Sequence, residues 1–375
     1  MDTIANIWNY AWPFLVTISV IVFVHELGHY LVARANGVRV EVFSIGFGPE
    51  LFGVHDRHGT RWRLSLLPLG GYVKFFGDAN AASGTKDDAT LSALGAEDRR
   101  VSFHHKRVGQ RAAVVLGGPL GNFVFAIIVF AFIFGFVGER YTAPDIVDVL
   151  PGGAAEAAGI KPGDRVVEIE GRPVERFEDL QRVVEESPGK PLSIVVRRGE
   201  ADVPLQATPN LVEEPDGFGG SRAVGRLGVK GGQVAFRDVS TGAAMWGAVR
   251  DTFNVTIGTL KAIGQMVSGS RSTDELGGPI QIGRMSGEIA QDGGFISLLF
   301  FMAILSINLG LINLFPVPML DGGHLIFYVW EAIVGRPLKP RVQEIGMRVG
   351  FVLVIALMVW VTSKDLIRLG VLDLY

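Results

Sequence analysis

Four runs of apolar residues, 13–35, 112–137, 296–315 and 349–361, limit what this chain can fold into. A helix needs roughly 20 apolar residues to cross a bilayer core about 30 Å thick. The fourth run reaches that length only if it extends over about 342–362. Composition agrees, since 48% of the 375 residues are hydrophobic and only 19% are charged, too apolar for an ordinary soluble protein. The first run reads as a retained span, because no basic segment precedes it and no small-residue cleavage site closes it.

Lys and Arg placement orients the spans. The twelve residues before the first run carry none, whereas residues 37–111 carry eleven and the connection 335–348 carries four. Both basic segments are expected on the cytoplasmic side of the membrane. The N-terminus and the stretch 138–294 are expected outside. A net charge of −3 gives no reason to expect a nucleic-acid partner, and the absence of cysteine leaves any metal to His, Asp or Glu.

Between the spans the pattern changes. In "TRWRLSLLPLGGYVKFF", Trp62, Leu64 and Leu66 fall on one face, residues 68–71 supply turn chemistry, and 72–75 return as a second strand. This reads either as a small cytoplasmic β-hairpin or as an edge strand tucked against the membrane core. Residues 78–100 are polar and read as a loop. Residues 141–209 have soluble character: short strands, a short helix at "GAAEAAG", an amphipathic helix at "RFEDLQRVVEES" and a hairpin at "PLSIVVRRGEADVPLQAT". With the "GIKPGD" turn this order resembles a bacterial PDZ domain, and "GRLGVKGG" is a candidate closing strand. Over 243–267 apolar residues recur every three or four positions with Arg250, Asp251 and Lys261 off the stripe, so this helix is expected in the interface rather than across it.

The chemistry begins in the first span, at "VHELGH". His25 and His29 lie one helical turn apart on one face, so both rings can reach a single zinc ion, with Glu26 beside it as general base for water. A pair of histidines hydrogen-bonded within a bundle is the plainer alternative, but it leaves a glutamate in hydrocarbon unexplained. A catalytic zinc takes three protein ligands and keeps one open position. The third run ends in "INLFPVPMLDGGHL", whose one acid is Asp321. By itself this is a Pro-Gly turn leaving the membrane. If 243–267 is interfacial, however, the first and third spans both run inward and bring Asp321 to the cytoplasmic depth of the histidines.

H-E-x-x-H in the first span, N-x-x-P-x-P-x-L-D-G-G at the end of the third, "ELGGPI" at 275–280 and the PDZ-like insert together resemble the site-2 protease family. Within it they resemble the bacterial regulated intramembrane zinc proteases of the RseP type. The resemblance implies an α-helical integral membrane protein of about four transmembrane helices, with an inserted extracytoplasmic α+β PDZ domain and a membrane-associated β-hairpin. Its parts would be a membrane half at 1–140, the PDZ domain at 141–232, an interfacial helix and linker at 233–295, and a second membrane half at 296–375. It implies zinc (Zn2+) on His25, His29 and Asp321, with Glu26 as the base. Asn313 would bind the substrate main chain, and the hairpin residues Arg61, Leu64, Leu66, Gly70, Gly71, Tyr72 and Val73 would hold substrate. The partners implied are the lipid bilayer and single-span membrane proteins of the anti-sigma-factor kind, with remnants of signal peptides. One departure is visible: a single PDZ module where some members carry two.

Two other classes compete. A membrane PDZ scaffold with a structural metal site would need a fourth ligand, and none is evident. A metal-ion transporter would need polar groups at several depths, and here they cluster at one.

Overall fold

Residues 2–78, 94–215, 221–232, 234–273 and 277–368 are described in the computed structural model. Most of the expected polar loop 78–100 lies outside them, as do Glu275 and Leu276 of the "ELGGPI" segment. The chain divides into two compact units.

The first unit, residues 1–130, 248–256 and 274–375, contains the long helices. Helix α1 (Asp2–Ala35) carries the H-E-x-x-H stretch and ends where Gly37 takes φ 68°. There the Val38 amide reaches back to the Ala33 carbonyl, a left-handed cap that only glycine adopts without strain. Helix α2 (Ala96–Val101) is short, and α3 (Val108–Phe136) is the next long element. Helices α1 and α3 cross through glycines: a Cβ on Gly28 would overlap the Gly117 carbonyl, and one on Gly121 would lie 2.9 Å from the Val24 carbonyl oxygen. Small residues at such a crossing let two backbones approach closely within a membrane.

Between these helices the chain forms one folded sheet from β1 (Val40–His55) and β2 (Arg61–Phe75). The ladder runs antiparallel from Val40↔Phe75 to His55↔Arg61, and residues 42–45 also pair with 61–64. The hairpin therefore doubles over on itself at Gly46 and Gly48, both near φ +87° to +88°. This corrects the expected two-strand reading. Residues 68–71 do not join a local pair of strands; the partner of 71–75 is 40–45. Asp56 locks the sheet to α1, accepting from Tyr30 Oη at 2.8 Å, Trp62 Nε1 at 3.1 Å and the amides of His58 and Thr60. Burial alone would raise this carboxyl, but the four donors outweigh it and hold it well below the usual carboxylate range.

Helix α7 (Pro279–Asp292) packs on the N-terminal half of α1, where Gly287 faces Tyr10. Helix α8 (Gly294–Asn313) follows, then a turn through both prolines, α9 (Asp321–Val334) and α10 (Pro340–Arg368). Helix α9 is additional to the sequence reading, which ended in a turn there. Helix α10 is mostly exposed and is anchored at two points. Gly350 lies against the Pro318 carbonyl, and Asp365 accepts the Gly278 and Gln281 amides, each at 3.1 Å, capping α7.

The second unit, residues 131–247 and 257–273, is α+β. Strand β3 (Glu139–Thr142) pairs with β12 (Val234–Arg237), and β4 (Asp148–Val149) with β11 (Val229–Lys230). Helix α4 (Ala154–Ala157) precedes a four-stranded sheet of order β6-β5-β7-β8, formed by β5 (Arg165–Ile169), β6 (Arg172–Pro173), β7 (Leu192–Arg198) and β8 (Ala201–Ala207). Helix α5 (Phe177–Glu185) covers it, burying Leu180 and Val184 against Ile194, Val196 and Val166. A hairpin of β9 (Asn210–Pro215) and β10 (Ser221–Arg226) lies beyond the sequence reading. Helix α6 (Thr241–Val267), shared between the units, begins at a Ser240 cap.

Among the described residues, four helices are long and apolar enough to cross a membrane: residues Trp8–Ala35 of α1, then α3, α8 and α10. Helix α6 is not among them.

Candidate metal centre

The crossing of α1 and α3 prepares a space for two imidazoles. His25 and His29 project from α1 over Gly118, where a Cβ would overlap the His29 ring and lie 2.8 Å from His25 Cε1. His29 Nδ1 lies 2.9 Å from the Val114 carbonyl. A carbonyl only accepts, so Nδ1 donates and Nε2 of the neutral ring presents its lone pair. Asp321, the first residue of α9, completes the group. Gly322 and Gly323 make this possible, because a side chain at either would collide with the main chain at Leu314 and Phe315 or at Val317 and Pro318.

The three donor atoms form a near-regular triangle. His25 Nε2 is 3.2 Å from His29 Nε2, and Asp321 Oδ2 is 3.2 Å and 3.5 Å from the two nitrogens. A tetrahedral zinc with bonds of about 2.0–2.1 Å would separate its ligand atoms by about 3.3 Å. Asp321 Oδ2 is buried and, although close to both rings, makes no aligned hydrogen bond. A buried acceptor left in this condition is costly unless something else satisfies it. The donor set therefore fits a zinc ion. Among the described residues it is the one cluster of three or more such groups close enough to hold a metal.

The cluster opens on a cavity of about 240 Å³ lined by His25, Glu26, His29, Asn313, Asp321 and His324, and by Gly71, Tyr72, Val73 and Phe75 of β2. The Val73 main chain hydrogen-bonds the Glu26 carboxyl, and Gly71 faces Glu26 Cγ. Of the hairpin residues singled out in the sequence, Gly71, Tyr72 and Val73 reach this cavity. Arg61, Leu64, Leu66 and Gly70 do not line it; Arg61 is paired with Glu50 at 2.6 Å, and Gly70 is covered by the Phe47 ring.

Two polar side chains were not singled out by the sequence reading. Asn122 of α3 is fully buried, with Nδ2 3.2 Å from His25 Nδ1. His104 pairs with the buried Asp78 at 2.8 Å. The sequence signal for Asn122 was available: it is the one amide or charged residue in 112–137.

A helical chain with four membrane-length helices and a His-His-carboxylate donor set beside a glutamate belongs to the class of membrane zinc metalloproteases. The comparisons give its family. The family model described as peptidase family M50, the site-2 protease family, matches residues 13–357, and the chain belongs to that family. It is similar to a protein of Agrobacterium fabrum carrying the provisional name zinc metalloprotease, 44% identical over 362 residues and 96% of each chain. A second relative so named, from Rhizobium meliloti, is 43% identical over 372 residues, 98% of this chain and 99% of its own. Metalloprotease MmpA of Caulobacter vibrioides is 37% identical over 381 residues, 95% of each chain.

Proposed function

We propose that this metalloprotease is an intramembrane endopeptidase cutting the transmembrane segments of single-span proteins in regulated intramembrane proteolysis. Anti-sigma-factor-like proteins and signal-peptide remnants are its substrates in this reading. The observation that carries it is the convergence of His25 and His29, from a helix of membrane-spanning length, with Asp321 at the start of α9, beside an edge strand.

In this reading His25, His29 and Asp321 hold zinc. When bound, zinc supplies Lewis-acid chemistry, making hydroxide available near neutral pH and polarising a carbonyl. Glu26 takes the proton from the attacking water and returns it to the leaving amine. Its bond to the Val73 main chain fixes the carboxyl towards the cavity. Asn313, at the end of α8, donates its amide to the substrate main chain. The 71–75 strand receives the substrate as an added strand, because a helical peptide bond must be drawn extended before it can be attacked. The α+β unit, read as a PDZ domain outside the membrane, filters substrates by the size of their outer domains. The N-terminus lies on that side and the zinc site towards the cytoplasm.

The test uses purified protein and a Leu-rich single-span substrate beside one loosened by Gly near the cut. Proline at Val73 removes an N–H from the side of the strand that faces away from β1. This variant should slow cleavage of the stiff substrate about tenfold, and the loosened one less, with zinc content unchanged. Full activity of the variant on the stiff substrate would rule out strand addition, and no cleavage of either substrate by the wild type would rule out the endopeptidase reading.

A further inference from the structure

The two histidines of the donor set differ in what holds their second nitrogen. His29 Nδ1 has a carbonyl, which settles its tautomer. His25 Nδ1 has the side-chain amide of Asn122, with Nδ2 at 3.2 Å, while Asn122 Oδ1 is buried and lacks a hydrogen-bond partner. With Nδ2 donating, His25 Nδ1 would have to accept, and the ring proton would sit on Nε2, pointing into the donor triangle. That proton would occupy the lone pair a metal requires. The oxygen and nitrogen of an amide are nearly identical in shape, so the opposite rotamer fits the same space. It places Oδ1 on Nδ1–H, gives the orphaned acceptor a donor and frees Nε2.

We propose that Asn122 is a positioning residue: its side-chain oxygen accepts from His25 Nδ1–H and fixes the tautomer whose Nε2 faces the metal. The inference rests on the reading of His25 as a zinc ligand. It makes the two histidines equivalent, each donating from Nδ1 to an acceptor on α3. A purely structural role for the residue is separable, because its link to α8 runs through its main chain: Ser306 Oγ donates to the Asn122 carbonyl at 3.1 Å. That bond survives a change of side chain.

The experiment is zinc affinity of the full-length protein, measured by competition with a chromophoric chelator, for wild type, His25→Ala, Asn122→Leu and Asn122→Asp. Leucine has nearly the same shape and cannot accept, so zinc binding should weaken by about 10- to 100-fold, as for other partners of metal-bound histidines. An ionised carboxylate accepts and cannot donate, so the Asp variant should stay within about threefold of wild type. Equal weakening of the Asp and Leu variants would overturn the proposal, as would wild-type affinity in the Leu variant. If the Leu variant does not fold, the Asp variant alone decides, and a tenfold or greater loss there overturns it. His25→Ala isolates the underlying assignment: unchanged affinity in that variant removes His25 from the metal site, whatever Asn122 does.

Discussion

Gly118 lies directly against the ring of His29, so close that a methyl group on it would overlap Nε2. The absence of a side chain on one helix is thus a condition for the geometry of two on another. Gly118→Ala should push both rings away from Asp321 and lower zinc affinity by at least about tenfold, the range seen when the partners of metal ligands are disturbed. Gly135→Ala on the same helix, with nothing within 4 Å of the added carbon, is the control and should bind zinc like the wild type. Equal affinity in both variants would contradict the packing argument.

Asp321 depends on a different glycine. Gly350 of α10 admits the Pro318 carbonyl, three residues before the aspartate. Gly350→Ala should shift this turn and weaken zinc binding several-fold while leaving the histidines on α1 in place. The measurement is zinc dissociation rate, faster than wild type, with helix content unchanged by circular dichroism. A wild-type rate would mean the turn keeps its position without α10.

The sheet beside the site should respond to acid through Asp56. Its carboxyl is held below the ordinary value of about 3.9 by Tyr30, Trp62 and two amides, against the opposing effect of burial. A depressed folded-state value means that the stabilisation is complete above about pH 5 and is lost as pH falls through 4 towards the folded value. Hydrogen exchange over 40–75 should therefore be slower in wild type than in Asp56→Asn at pH 6, and the gap should close on acidification. A gap that does not narrow as pH falls would contradict the assignment.

The clustering of the three donor residues was legible because its logic is local. Two histidines four apart on a helix define a shared face, and one acid after a proline break is conspicuous in an apolar run. Asp321 needed a topological argument as well, and the helix that follows it was hidden by Pro316, Pro318, Gly322 and Gly323, which together resemble an exit turn. The sheet was legible only in part. Residues 72–75 alternate as a strand should, but their partner is 40–45, more than 25 residues upstream, and "VEVFSIGFGPELFGVH" hides its strand behind glycines that bend it. Pairing across such a separation leaves no periodic trace. Asn122 is inconspicuous in the sequence because "GGPLGN" reads as a helix-packing stretch, which it also is. Its chemistry emerges only when the crossing at Gly28 and Gly117 brings it to His25.

The central claim is that Glu26 moves the proton while His25, His29 and Asp321 hold the zinc. It is tested most directly by Glu26→Gln, measuring zinc stoichiometry and single-span substrate cleavage on one preparation. The account predicts about one zinc per chain, as in the wild type, with turnover reduced by about 10²- to 10⁴-fold, the usual contribution of a positioned acid-base group. Cleavage near the wild-type rate by the zinc-loaded variant would contradict it.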